Sequence, residues 1–111
     1  MQDHLIWPSI NDIYQSSKNI TWRKQVLESS IVIFRFLHEN NLLLVNPFDE
    51  NGNVLMDLSL MRSDVTDIGD EMFSKTIPNW QKARDRDGNL KNLSILENGL
   101  KNIKESRQTH G

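Results

Sequence analysis

Apolar positions along the chain recur first at helical spacing, then briefly in alternation, then at helical spacing again. Ile6, Ile10, Ile13 and Tyr14 share one helical face. Ser9 can cap that helix, and Asp12 three residues on suits its positive end. Ser16 to Asn19 is a polar break, after which Thr21 reads as the cap of the strongest helix, reaching to about Asn40. Val26, Ser30, Ile33 and Leu37 follow its spacing. Ile31, Val32, Phe34 and Phe36 extend the apolar surface most of the way round, which places this helix centrally. Arg35 must then reach out along its stem or meet a carboxylate.

Asn40-Asn41 ends the helix. LLLVNPF and VLMDLSLM follow, the second with a partial period of two, separated by Asn51-Gly52. Both residues of that pair tolerate positive φ, so residues 43–60 have the makings of a small β-hairpin that needs helical cover. Ser63 or Thr66 begins a further helix to about Thr76, with Val65, Ile68, Met72 and Phe73 on one face. Pro78 restarts it, with Trp80 and Ala83 among charges. Ser94 and Glu97 form a capping box ahead of Leu96, Leu100 and Ile103. Residues 105–111 read as a frayed tail. The expectation is a mainly α protein: a single compact helical domain, 1–111, of about five helices with that one small extended element.

Composition narrows the function classes. The chain has 111 residues, 37% hydrophobic and 25% charged, with net charge −2. That balance fits an ordinary globular domain and speaks against a strongly basic nucleic-acid binder. No cysteine is present, so disulfides and thiolate metal sites are excluded. The N-terminus carries no signal-peptide pattern, and the longest apolar stretch, Ile31 to Leu37, is interrupted by Arg35. A cytoplasmic protein without a membrane span is expected, a monomer or weak dimer when free.

Two stretches, PFDENGN at 47–53 and DRDGN at 85–89, raise the question of calcium. An EF-hand loop needs Gly at position 6 and a bidentate Glu at position 12. Counted from Asp49 those positions are Val54 and Leu60; counted from Asp85 they are Leu90 and Leu96. Both stretches read as turns built on Asn, Asp and Gly. His4 and His110 lie near the ends, and His38-Glu39 lacks the second His of a zinc helix. No Gly-rich phosphate loop exists, and no nucleophile–base pair can be assembled. An enzyme is not expected, nor a cofactor or metal.

The charges are unevenly placed. Residues 49–71 hold Asp49, Glu50, Asp57, Asp64, Asp67, Asp70 and Glu71 against Arg62 alone, seven acids to one base and a local charge of −6. Residues 72–111 hold eight bases and four acids, a charge of +4. Acids in the first turn of a helix support its dipole, and an acidic surface also steers a basic partner. Of the three tryptophans, Trp80 has the most polar neighbours, Gln81, Lys82 and Arg84, and is the one expected to offer itself to a partner.

PFDENG, S-D-V-T-x-x-G from Ser63, I-P-x-W from Ile77 and S-I-L-E-x-x-L from Ser94 together resemble small bacterial immunity proteins of contact-dependent growth inhibition systems. The resemblance covers about half the chain, Pro47 to Leu100. It implies an inhibitor with no chemistry of its own. Such a protein binds the toxic C-terminal domain delivered by a neighbouring cell, often a nuclease, with a ribonuclease favoured. The acids listed above and Trp80 are then the partner-binding residues, filling a basic substrate cleft, and no direct nucleic-acid binding is expected. The competing reading is a small helical regulator or adaptor that docks a cellular protein or nucleic acid through Lys82, Arg84, Arg86, Lys101 and Lys104.

Overall fold

Helix dominates the residues that the computed structural model describes, 3–87 and 93–108, and the other regular element is one pair of short antiparallel strands. The mainly α expectation holds. Packing divides the chain into two compact units, 1–66 and 67–111.

The first unit holds β1 (Leu5–Trp7), α1 (Ile10–Tyr14), α2 (Ile20–Glu39) and β2 (Leu60–Met61). Ile6 lies in β1 and not on the face of α1 as its spacing suggested. The reason is Pro8: a residue before proline is driven to extended backbone, which holds Trp7 in the strand. Ser9 then caps α1, its Oγ accepting the Asp12 N–H at 3.1 Å. The far end of this five-residue helix is closed by Arg23. Its guanidinium donates to the carbonyls of Tyr14 (3.0 Å) and Ser17 (2.8 Å) and lies over the Tyr14 ring.

Asn19, two residues before the expected Thr21, caps α2, with Oδ1 accepting the Trp22 N–H at 3.0 Å. Asn outranks Thr as a cap, and choosing it adds half a turn to the helix. Ser29, Ser30, Ile33, Phe34, Phe36 and Leu37 are buried. At the other end Asn41 takes φ 59°. Leu42 N–H donates to Leu37 O at 2.9 Å and Asn41 N–H to His38 O at 3.1 Å, the paired bonds of a Schellman stop. Leu42, the residue after the turn, is buried.

The extended segments pair differently from the expected hairpin. β1 pairs antiparallel with β2, Leu5 opposite Met61 and Trp7 opposite Leu60, with an irregularity between. Residues 42–44 instead meet 64–66: Leu43 bridges Val65, and Leu44 N–H donates to Asp64 O at 2.8 Å. Between these lies the chain reversal at Asn51-Gly52, a single bridge of Phe48 with Val54. Pro47 has no N–H for a longer ladder, and only its carbonyl is used, by Leu55 N–H at 2.9 Å.

The second unit is helical. α3 (Asp67–Glu71) runs through a π turn (Met72–Thr76) into α4 (Ile77–Asp87), and α5 (Ser94–Gln108) lies against all three. The break expected at Pro78 is absent. Pro78 has no N–H for the Ser74 carbonyl, and its ring crowds that oxygen. The helix widens by one residue just ahead, where Ile77 N–H reaches back to Met72 O. Met72, Ile77, Trp80, Leu96, Leu100 and Ile103 form the core of this unit. α5 starts at Ser94, so Leu93 stands at the cap position, and its carbonyl accepts the Glu97 N–H at 2.9 Å. The helix runs to Gln108.

Candidate partner-binding surface

The seven acids of 49–71 are split between the two units: Asp49, Glu50, Asp57 and Asp64 in the first, Asp67, Asp70 and Glu71 in the second. Most are already bound within the fold. Asp49 organises the reversal, its Oδ1 accepting the N–H groups of Asn51 and Asn53, each at 2.9 Å. Asp49 N–H donates to Asn53 O at 2.8 Å, and Gly52 N–H to Asp49 O at 3.0 Å. Gly52 sits at φ +83° while Asn51 keeps a negative φ. This is a three-residue loop closed by a glycine bulge, in place of a two-residue turn with both residues at positive φ.

Asp64 is half-buried, and its Oδ2 accepts the Met61 N–H at 2.9 Å, tying a 3-10 turn (Arg62–Asp64) to β2. Asp57 is exposed and accepts from Asn11 Nδ2 at 2.5 Å. Glu71 pairs with Arg107 from α5 and with Lys75 at 3.6 Å. Asp67, exposed, and Asp70, half-buried, both lie in the first turn of α3. Glu50 stands exposed at the tip of the reversal. From Leu42 to Met61 the chain carries no Lys, Arg or His at all.

Trp80 is a correction. Its side chain is 1% exposed in the core of the second unit, with the Arg84 guanidinium 5.8 Å from its ring centroid. In the free protein it cannot serve as a surface anchor. The polar neighbours that singled it out are its sequence neighbours, which on a helix face other directions. Arg84 also pairs with Asp85 at 2.7 Å. Arg35 meets no carboxylate among the described residues but an aromatic face, its guanidinium 5.8 Å from the Phe48 centroid.

Spacing did not single out the exposed apolar residues of the first unit, Leu5, Ile20, Leu44 and Leu55, of which Ile20 (84%) and Leu44 (66%) are the most open. Ile20 directly follows the Asn19 cap, so finding the correct cap would have revealed it. Asp3 is a further unforeseen contact. Its carboxylate accepts from Ser63 Oγ at 2.6 Å and Ser63 N–H at 2.9 Å, which hold its pKa below the ordinary value. His4 N–H adds a third bond at 3.1 Å.

Among the described residues no three His, Asp or Glu side chains stand together as a metal site, and no helix is long and apolar enough to cross a membrane. The Gly88-Asn89 part of the second acidic–amide stretch, and His110, lie outside the described residues. No protein-family model, curated protein or solved structure matches the chain.

Proposed function

We propose that this chain is an immunity protein of the contact-dependent growth inhibition type, which binds a bacterial toxin domain and blocks its basic substrate cleft. The toxin is a nuclease, a ribonuclease in the first instance. The observation that carries the reading is the base-free segment Leu42–Met61 with Asp49, Glu50 and Asp57 all exposed. A cleft built to hold polyanionic RNA or DNA is basic, and such a segment is its electrostatic complement. The resemblance over Pro47–Leu100 supplies the biological setting. Inhibition here needs no chemistry from the inhibitor, only occupancy of the cleft inside the cytoplasm.

The reading is tested by co-expressing the chain with the C-terminal domain of a surface toxin encoded beside it. Survival and a stable complex are expected; death at equal expression, with no complex on mixing, overturns it. The exposed Lys82, Arg86, Lys101 and Lys104 of the second unit favour a helical regulator instead. Retardation of RNA or DNA by the isolated protein at low salt would select that alternative.

A further inference from the structure

Asn-Gly occurs twice among the described residues, in opposite settings. Asn98-Gly99 lies within α5, where the backbone is held by helical hydrogen bonds. Asn51-Gly52 is at the exposed tip of the reversal, both residues open to solvent. A glycine following asparagine leaves its backbone nitrogen without a Cβ to shield it, so the side-chain carbonyl before it can be attacked. We propose that Asn51 is a site of spontaneous covalent modification in this protein, deamidation through a succinimide, and that Asn98 is protected.

The reaction needs only water. Gly52 N loses its proton to solvent base and bonds to Asn51 Cγ; the Cγ–Nδ2 bond breaks as Nδ2 takes a proton from water and leaves as ammonia. Water then opens the five-membered ring at either carbonyl. One opening leaves Asp at position 51, the other isoaspartate, in which the main chain runs through Cβ and Cγ. Before attack the Gly52 N–H must leave Asp49 O, and ψ and χ1 of Asn51 must turn to bring Gly52 N to Cγ. The bond to be released belongs to a solvent-exposed loop, and such loops open at small free-energy cost. At Asn98 the helix itself must open, and Gly99 packs closely on Thr76.

The product alters the segment that would face a partner. A new carboxylate stands beside Asp49 and Glu50, and the isoaspartyl form adds a methylene to the backbone within the reversal. The spacing of the Phe48–Val54 bridge is then lost. The charge at the tip rises while the shape that presents it is broken, so modification would age the surface as well as the composition.

The test is incubation of the intact protein in mildly alkaline buffer, followed by peptide mass mapping and isoaspartate assay. A synthetic peptide spanning Pro47–Leu55 sets the unrestrained rate, and a sample in denaturant reports both sites unfolded. The mass gain of amide-to-acid conversion should appear at Asn51 about tenfold or more faster than at Asn98, each 1.4 kcal/mol of helix opening being a factor of ten. In denaturant the two rates should converge. Asn51→Gln, at an exposed position, should abolish the early gain. Overturning results are an intact Asn51 after the free peptide has reacted, or Asn98 reacting in the native protein as fast as Asn51.

Discussion

Gly99 of α5 lies so close to Thr76 of the π turn that a Cβ on it would fall inside 3.0 Å of the Thr76 Cγ2, Oγ1 and Cβ alike. Thr76 is buried, so its side chain cannot swing into solvent to make room. At the widened turn ahead of Pro78, α5 thus packs tightly on its neighbour, and glycine is what permits it.

Gly99→Ala therefore sets two effects against each other. Ala raises helix propensity by about 1 kcal/mol over Gly, while overpacking costs about 1–3 kcal/mol. The clash meets the buried Thr76 side chain, so the net expectation is a loss of about 1–2 kcal/mol, read as a lowered melting temperature. Thr76→Ala in the same chain removes two of the three clashing atoms and should return part of the loss. A double-mutant cycle with no coupling would show that the helices do not meet here.

A second test separates two caps. Asn19→Ala removes the side chain that accepts the Trp22 N–H and should cost about 1 kcal/mol, whereas Thr21→Ala, inside the first turn of α2, should be near neutral. Denaturant midpoints of the two variants decide it. Equal losses, or a larger one at Thr21, would mean that the helix starts where spacing alone suggested.

Asp3 makes a pH-dependent prediction. Ser63 Oγ, then Ser63 N–H, holds its carboxyl below the ordinary Asp value. A depressed folded-state pKa contributes stability that is present above the unfolded value and is lost as pH falls through the folded one. Ser63→Ala should move the Asp3 titration midpoint upward, measured by NMR on its side-chain carbon. Its melting temperature should fall below the parent's at neutral pH and converge with it in acid. An unmoved midpoint would mean that the N-terminal segment does not meet the 3-10 turn.

Helix ends and faces were readable in the sequence wherever their signals are local. Ser9 with Asp12, the stop at Asn40-Asn41, and the Leu96, Leu100 and Ile103 face each depend on residues within a turn or two. Pairing of Leu5 with Met61 joins segments more than fifty residues apart and leaves no periodic trace, so the sheet was not foreseen. The burial of Trp80 is hidden for a related reason. Pro78 interrupts the local helical pattern, so Trp80 does not read as joined to Met72 and Ile77, with which it is buried. The acidic character of 49–71 was legible, but its occupancy was not: composition cannot say that Asp64 holds Met61 or that Glu71 holds Arg107.

That occupancy decides which acids test the proposed interface. Reversing Asp64 or Glu71 would damage the fold before any partner was met, since each leaves a turn or helix contact unmade. Glu50 and Asp57 are the better pair: both are exposed, and Asp57 gives up one solvent-exposed bond to Asn11, worth about 1 kcal/mol. With Glu50→Lys and Asp57→Lys together, attraction to a basic cleft is lost and repulsion gained. Association with the toxin domain should slow on the order of tenfold at low salt, with dissociation changed less. The gap should narrow as added salt shortens the screening length. Glu50→Gln with Asp57→Asn should fall between parent and reversal if charge is the cause. Should the reversed protein, folded by thermal melt, associate as fast as the parent at low salt, the acidic reversal serves solvation only. The contact surface would then be sought on α5 and its exposed Lys101 and Lys104.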